Sequence, residues 1–263
     1  MTNEDLTIIL PFFNEVDFLP ATLNSLQRQT DRNFSLLLVD NNSTDGGAEL
    51  ASEIWRGSDD IQMSVLTEKR QGKIFALQTG LANVATRYVA TVDADTHYPE
   101  DYVARIRRGF RSPEAAAVIA YNVGSDKQAG PSFKQRFFAR VTPAKCHSGG
   151  CAQAFNTMSL RAVGGFDPAR WPYVLEDHEI IHRIGKQGRL VYANDHVCYP
   201  SDRRSDRGGC SWTALERIAY KMLPETAMDW FFYRYLAGRF ARDGKLNDRL
   251  ADQPWQDDPL TRP

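Results

Sequence analysis

The chain has 263 residues, 42% of them hydrophobic, and a formal net charge of -1. This length predicts one large domain with a full core, and the near-neutral charge argues against a nucleic-acid partner. The first residues lack a basic region followed by an apolar run, and no stretch of sequence approaches the roughly 20 apolar residues that span a bilayer, so we expect a cytoplasmic protein.

Four short apolar runs alternate with helical patterns in the first hundred residues. The runs are too short for helices and end in polar or glycine-containing turns, which indicates buried strands; they lie at 6–10, 34–39, 63–67 and 88–92. Between them, apolar residues recur three and four positions apart, as on one face of a helix. This alternation predicts an α/β fold, an open, mostly parallel sheet with helices on both faces. Ligands bind such sheets at the carboxyl ends of the strands.

The second half of the sequence is less regular. We expect a strand at 116–123, a basic and aromatic connector at 130–143, another strand at 151–158, a helix at 176–187 ended by Gly188, and a strand at 189–193. Residues 212–240 have an aromatic-rich helical pattern that is broken near Pro224. Residues 243–263 are polar, which predicts a loosely ordered tail.

Two aspartates follow the fourth predicted strand directly. In TVDADT, Asp93 and Asp95 stand two residues apart, so both carboxylates can approach one site. Carboxylate oxygens suit Mg²⁺ or Mn²⁺, and a metal held by few protein ligands keeps positions for phosphate oxygens. An isolated pair of this kind is also typical of a solvated acidic turn, so its meaning depends on the surrounding motifs.

The first two predicted strands also end in polar residues. Asp40 closes the second strand and has a carboxylate that can accept a hydrogen bond from a nucleobase N–H, while residues 43–45 are placed to cap the next helix. After the first strand, Pro11, Asn14 and Glu15 form a turn that would line the same crevice. The alternative is an ordinary strand-to-helix turn.

Six motifs in this order resemble the family 2 inverting nucleotide-sugar glycosyltransferases: PFFNE, VDNNSTDG, GKIFALQTG, TVDADT, GGFD and LEDHEIIHR. The resemblance runs from about Thr7 to Arg204. It implies a Rossmann-like fold of the glycosyltransferase A type, with a nucleotide-sugar-binding half at 1–98, an acceptor and catalytic half at 99–210, and C-terminal helices at 211–242 in one catalytic domain.

The resemblance also implies roles for single residues and a cofactor, Mn²⁺ or Mg²⁺. By position in the motifs, the donor-binding residues are Pro11, Asn14 and Glu15 at the pocket entrance, Asp40 at the nucleobase, Lys73 at the nucleotide or its phosphates, and Asp93, which with Asp95 provides the ribose and metal ligands.

Glu176 and Asp177 match the catalytic acidic pair of that family, with Asp177 as the general base. An inverting displacement needs a carboxylate opposite the leaving nucleotide to accept the proton of the attacking hydroxyl. The first turn of a helix keeps a carboxylate ionised, because the amide dipoles favour the charged form. The alternative interpretation is an acidic pair that caps the helix.

The same segment contains HEIIH, the zinc-protease pattern, formed by His178, Glu179 and His182. Gly188 stands where that class would place a third histidine, and a protease does not explain the two upstream aspartates, so we do not favour this interpretation. The cysteines, at 146, 151, 198 and 210, lack the close spacing of a structural zinc site. Reduced thiols are expected.

Further ligands are suggested by the segment 196–209. Arg203, Arg204 and Arg207 are in a predicted loop that would close over the donor diphosphate or hold an anionic acceptor, with a solvated loop as the alternative. Some members of the family have a third metal ligand in this region, for which His196 is a candidate.

The resemblance specifies the binding partners only by chemical class. The donor is a UDP or GDP sugar, and the acceptor is a hydroxyl on a saccharide, a lipid-linked molecule or a small molecule. Aromatic residues at 230–235 predict core packing, a dimer surface or peripheral contact with the inner face of the membrane. Two alternative functions are a sugar-nucleotide nucleotidyltransferase, which needs a glycine-rich phosphate loop after the first strand, and a non-catalytic sugar-binding protein of the same fold.

Overall fold

The computed structural model describes residues 5–58, 60–124, 130–146, 149–201 and 212–247. Its strands are β1 Leu6–Phe12, β2 Ser35–Asp40, β3 Met63–Thr67, β4 Tyr88–Thr91, β5 Thr96–His97, β6 Ala115–Ile119, β7 Tyr121–Asn122, β8 Gln153–Asn156, β9 Arg189–Val191 and β10 Val197–Pro200. Its helices are α1 Leu19–Gln27, α2 Gly47–Trp55, α3 Lys73–Ala82, α4 Tyr102–Gly109, α5 Phe133–Val141, α6 Pro143–Cys146, α7 Thr157–Ala162, α8 Glu176–Ile184, α9 Ala214–Met222, α10 Met228–Trp230 and α11 Ala237–Asp243. A π-helical turn, Phe231–Leu236, joins the last two.

A seven-stranded sheet organises the domain, in the order β3-β2-β1-β4-β8-β6-β9. The first four of these strands are parallel, β8 is antiparallel to both of its neighbours, and β9 is parallel to β6. A smaller sheet, β5-β10-β7, lies beyond the end of β4. The predicted mostly parallel α/β sheet is therefore confirmed.

Helices cover both faces of the large sheet because its strands are apolar on both sides. Along β1, Ile8 and Leu10 face the cluster formed with α1, α2 and α4, whereas Ile9 faces the cluster formed with α3, α7 and α8. These side chains are fully buried, and each contributes about 1.5–3 kcal/mol to folding relative to exposure. A third cluster packs the C-terminal aromatic residues around Trp171, which confirms the core-packing interpretation for most of them.

Several boundaries differ from the sequence-based expectation. The connector at 130–143 contains a helix, α5, which begins with a capping box between Ser132 and Gln135. The strand expected at 151–158 is shorter, and α7 follows it at once. Helix α8 ends at Ile184 rather than Gln187. Gly188 instead allows a close approach, because a Cβ there would lie 2.6 Å from the Glu114 carbonyl oxygen.

The expected loose tail is ordered as far as residue 247. Leu246 forms a bridge with Tyr173, and Val174 N–H donates to the Lys245 carbonyl at 3.1 Å. Residues 248–263 lie outside the described residues. In the described part of the chain, none of the helices has the length and apolar character that a bilayer crossing requires.

Candidate active site

Asp93 and Asp95 lie just past the carboxyl end of β4, where the small sheet holds their backbone. Asp93 N–H donates to Tyr98 Oη at 2.9 Å, and Tyr98 Oη donates in turn to the Cys151 carbonyl at 2.8 Å. Ser201, at the end of β10, donates its backbone N–H to the Asp95 carbonyl at 2.8 Å. Both carboxylates are largely buried. The pair is thus a rigid part of the fold and not a mobile surface turn.

Lys73 is paired with the first of these aspartates. Its Nζ lies 2.6 Å from Asp93 Oδ1. The lysine opens α3, and the preceding Gly72, with φ at +128°, donates its N–H to Asn41 Oδ1 at 2.9 Å. The side-chain amide of Asn41 also donates to the carbonyls of Glu68 and Arg70. Asn41 therefore fixes the loop from which Lys73 reaches the aspartates.

Asp177 and Lys73 both lie beside Gly150. A Cβ built on Gly150 would lie 3.3 Å from Lys73 Nζ, 3.3 Å from Asp177 Cβ and 4.0 Å from Asp177 Oδ2. Gln153, in the strand next to β4, donates its side-chain N–H to the Asp177 carbonyl at 3.0 Å. The structure therefore brings Asp93, Lys73 and Asp177 close together near the carboxyl end of β4.

Helix α8 presents its acidic pair from a constrained start. Leu175, the residue before the helix, has φ of 67° and ψ of 30°, the left-handed region that a branched side chain rarely occupies. Such a conformation costs on the order of 1–3 kcal/mol and persists where the surroundings enforce it. The strained turn directs Glu176 and Asp177 to the site from the first turn of the helix.

Glu176 differs from an ordinary surface carboxyl. Burial, reinforced by the charge of Asp177, raises the pKa of Glu176 from 4.5 to about 7, although Lys73 acts in the opposite direction. Its Oε2 accepts a hydrogen bond from the Asn247 side-chain amide at 2.8 Å. At neutral pH this carboxyl is therefore close to the midpoint of its titration.

His178 joins Asp177 to the C-terminal helices. Its Nδ1 is 2.9 Å from Asp177 Oδ1. The imidazole ring packs edge-on against Trp212 and Tyr220, with centroid distances of 4.9 and 5.7 Å. The aromatic pair thus packs against the histidine that is bonded to Asp177.

The turns after β1 and β2 are bonded to each other. Asn14, with φ of 50°, donates its N–H to Ser43 Oγ at 3.0 Å, and its side-chain oxygen accepts from Thr44 N–H at 2.9 Å. Asp45 accepts from Val16 N–H at 2.8 Å. Helix α2 begins at Gly47, and Asp45 Oδ1 accepts from the Gly47 N–H at 3.0 Å. The predicted capping role of 43–45 therefore holds for Asp45, whereas Ser43 and Thr44 link the two loops.

The other residues that the sequence predicts to bind the sugar donor lie near the carboxyl ends of β1 and β2. Asp40 accepts a hydrogen bond from Ser43 N–H at 2.8 Å, and Pro11 is paired with Val39 inside the sheet. The Glu15 carbonyl accepts from Phe18 and Leu19 N–H at the start of α1. These contacts place the residues at the strand ends, and their roles toward a nucleotide stay predictions. Arg203, Arg204, Arg207 and Cys210 lie outside the described residues.

The structure gives the HEIIH residues other partners. Glu179 is fully buried and both of its oxygens accept from the Arg183 guanidinium at 2.7 Å. His182 Nε2 is 2.7 Å from Asp229 Oδ1. A zinc protease needs that glutamate as a base and both histidines on one metal. Within the described ranges, no group of three or more histidine, cysteine, aspartate or glutamate residues is arranged to hold a metal ion.

His196 is not placed as a third metal ligand. It is fully buried, and its ring packs 4.9 Å from that of Tyr102. Burial, together with the charges of Arg105 and Arg108, lowers the pKa of His196 to about 3. The surrounding core, and not the two aspartates, accounts for its position, which corrects the sequence-based assignment. None of the three described cysteines forms a disulfide.

Sequence reasoning missed two residues of this site, Asn41 and Asn247. Asn41 follows a predicted strand within a quoted motif, so its position was a usable signal. Gly150 was expected, with Gly149, only as part of a flexible turn near the acceptor, which the family resemblance suggests. Asn247 stands in a polar segment without any motif, and nothing in the sequence connects it with Glu176, which is 71 positions away.

Known proteins share both the sequence pattern and the architecture. The family model described as glycosyl transferase family 2 matches residues 7–163. The succinoglycan biosynthesis protein ExoA of Rhizobium meliloti is 24% identical over an alignment of 226 residues that covers 76% of this chain and 66% of ExoA. The match thus spans just under two thirds of that relative.

Two solved structures have the same fold at low identity. The mannosyltransferase PcManGT of Pyrobaculum calidifontis, in complex with GDP-Man and Mn²⁺, gives a TM-score of 0.65 at 22% identity and covers 89% of this chain and 68% of its own. TarS 1-349 of S. aureus, in complex with UDP-GlcNAc, gives 0.63 at 15% identity and covers 90% and 72%. The fold is therefore of the glycosyltransferase A type.

Proposed function

Because the chain belongs to glycosyl transferase family 2, we propose that it moves a sugar from a UDP or GDP sugar to a hydroxyl acceptor, with inversion and with Asp177 as general base. One observation carries the proposal: Lys73 Nζ, which is bonded to Asp93, and Asp177 Cβ both lie 3.3 Å from the position that a Cβ on Gly150 would take. A cation and a carboxylate are thus close enough to serve the two ends of one displacement.

The donor side is supported by Lys73 and the two aspartates. A lysine ammonium in this position would bind diphosphate oxygens as a point charge. The nucleobase would lie toward Asp40, and Pro11, Asn14 and Glu15 would line the way in. One of the two similar solved structures holds GDP-Man and the other holds UDP-GlcNAc, so we retain both GDP sugars and UDP sugars as candidate donors for this chain.

The residues present fit a hard divalent cation. Asp93 and Asp95 offer carboxylate oxygens on a fixed backbone, and such a two-ligand set suits Mg²⁺ or Mn²⁺ that completes its shell with phosphate oxygens and water. When bound, the ion would neutralise the charge that grows on the departing diphosphate. The Mn²⁺ in PcManGT supports this choice by analogy.

The acceptor side is supported by Asp177 and its neighbour His178. The carboxylate would take the proton of the attacking hydroxyl, and the hydrogen bond from His178 fixes which oxygen is turned toward the acceptor. Glu176 would change the charge next to Asp177 when it gains or loses its own proton. The acceptor class stays open among a saccharide, a lipid-linked molecule and a small molecule.

The proposal is tested by measuring transfer and binding on the same variants. With UDP-glucose, UDP-GlcNAc or GDP-mannose and Mn²⁺, Asp177→Asn should lower the release of nucleoside diphosphate at least about 100-fold, the scale of a lost general base. Binding, followed as the rise in melting temperature with nucleotide diphosphate, should remain. Asp60→Asn, which removes an exposed carboxylate paired with Arg32, is the matched control.

Other outcomes would redirect the assignment. Unchanged turnover in Asp177→Asn would remove the base role. Release of pyrophosphate from a nucleoside triphosphate and a sugar phosphate would identify a nucleotidyltransferase. A nucleotide response that does not change with Mn²⁺, or that persists in Asp93→Asn with Asp95→Asn, would contradict the metal site. Binding without turnover for every donor would favour the non-catalytic alternative.

A further inference from the structure

Helices α5 and α9 carry rows of large apolar side chains on their solvent faces. On α5 the row is spaced four residues apart, and on α9 it is spaced three and four apart, so each row forms a stripe along its helix. The exposed fractions are 80% for Phe133, 52% for Phe137, 58% for Val141, 78% for Leu215, 59% for Ile218 and 78% for Met222. We name these six residues and the two helices the α5–α9 surface.

The charges of this surface are all positive. Its ionisable residues on the solvent side are Lys134, Arg136, Arg140, Arg217 and Lys221, each exposed. The one acidic residue in the two helices, Glu216, is 2% exposed and is held by Thr213 and Arg239. A chain with a net charge of -1 therefore concentrates five cations around one apolar area.

The two helices form a continuous surface. Lys221 Nζ, on α9, lies 5.6 Å from the ring centroid of Phe138, on α5. Tyr220 Oη donates to the Ala144 carbonyl at 2.8 Å, which ties α9 to the short helix that follows α5. Apolar side chains flanked by lysine and arginine match the boundary of a bilayer, where the stems reach the acyl region and the charges stay at the phosphates.

The back of the same helix faces the proposed base. Tyr220 on α9 and Trp212 just before it contact His178, which is bonded to Asp177. One helix, about 10 Å in diameter, therefore separates the exposed stripe of α9 from the site. The aromatic segment at 230–235 is a poorer candidate, because Phe231 and Phe232 are buried.

We propose that the α5–α9 surface docks on an anionic lipid bilayer and thereby presents a lipid-borne hydroxyl to Asp177. The second half of this statement rests on the proposed function, whereas the docking does not. Binding should grow with the anionic lipid content and weaken with salt, since about five basic side chains would lie near the lipid phosphates.

The docking is tested by flotation of the full-length protein with vesicles of phosphatidylcholine alone or with 30–40% phosphatidylglycerol, a range of roughly physiological surface charge. We expect binding to the anionic vesicles only. Phe137→Glu with Ile218→Glu should weaken it at least about tenfold, since each change removes buried apolar area and adds a repelled charge. Met158→Glu is the control, because Met158 is 81% exposed on α7, away from this surface.

Circular dichroism and the melting temperature would verify that the double variant is folded. Asp177→Asn should keep full vesicle binding while it loses transfer, which separates failure of the docking from failure of the proposed chemistry. Three results would overturn the proposal: absence of binding to anionic vesicles, equal binding by the double variant, and a concentration-dependent dimer, seen by sedimentation, that the double variant abolishes.

Discussion

The side-chain amide of Asn247 links Glu176 to the first turn of α3. Its Nδ2 donates to Glu176 Oε2 at 2.8 Å, and its Oδ1 accepts from Ile74 N–H at 2.9 Å. Helix α3 has no cap from its own sequence, so Asn247 supplies one from the far end of the chain. One side chain thereby couples the helix that carries Lys73 to the helix that carries Asp177.

Asn247→Ala should lower the free energy of unfolding by about 1–3 kcal/mol, because a buried N–H and a partly buried carboxyl both lose a partner. Urea unfolding measures this loss. Asn83→Ala is the control, because the Asn83 side chain bonds only to the Thr79 carbonyl on an exposed helix surface, and its cost should stay within about 0.5 kcal/mol. An equal effect of the two substitutions would contradict the linking role.

Asn247→Asp separates the two bonds. Aspartate still accepts from Ile74 N–H, but it cannot donate to Glu176 and adds a negative charge beside it. The pKa of Glu176 should therefore rise further. The pH dependence of transfer should move to higher pH while the stability at acidic pH is kept, and an unshifted profile would show that Asn247 acts on α3 alone.

Glu176→Gln should flatten the pH dependence of stability around neutrality. The folded protein holds the pKa of Glu176 at about 7 against an ordinary 4.5, so the native state binds this proton more tightly than the unfolded state. Stability therefore falls as pH rises from about 4.5 to about 7, by up to about 3 kcal/mol. Urea unfolding of wild type and variant between pH 5 and 8 measures the difference, and parallel curves would show that Glu176 is ionised throughout.

Lys73→Met should weaken donor binding more than it slows turnover. A lost charged hydrogen bond to phosphate costs about 1.5–3 kcal/mol, so the KM for the nucleotide sugar should rise roughly ten- to a hundredfold. Since Lys73 also lowers the pKa of Glu176, the pH profile should shift upward as well. Lys69→Met, at an exposed position before the same helix, should leave both unchanged, and an unaltered KM for Lys73→Met would remove the phosphate role.

The sequence predicted the part of the fold that depends on local periodicity. Strands β1 to β4 and the helices between them bury apolar side chains on both faces of the sheet. Their sequences therefore show short-range apolar patterns. Strands β5 and β7 have two residues each, too few for a pattern, and they depend on pairing with β10. Helix α5 has no buried residue, so its apolar stripe points to solvent and core periodicity could not identify it.

The sequence indicated those residues of the candidate site that lie within one of the quoted motifs. Asp93, Lys73 and Asp177 follow strands or open helices in quoted motifs, and the structure brings them together. The Asn247 side-chain amide contacts Ile74 and Glu176, which are 173 and 71 positions away in the sequence. A local sequence pattern cannot indicate contacts over such distances. His196 is an error of the opposite kind: its position in the sequence suggested a metal ligand, but its side chain is buried in the core.

Gly150→Ala provides a direct test of the space between the two halves of the site. The added Cβ would lie 3.3 Å from both Lys73 Nζ and Asp177 Cβ, which is tighter than an ordinary contact and, in the proposed mechanism, falls between the phosphate-binding lysine and the base. Gly150 has no left-handed backbone to lose, so we expect the stability to change by less than about 1 kcal/mol, within the usual range for small substitutions. Turnover, in contrast, should fall at least about tenfold, since displacement of reacting groups by about 1 Å is costly. Gly130→Ala, where a Cβ meets nothing within 4 Å, is the matched control, and full activity in both variants would place the reaction away from this space.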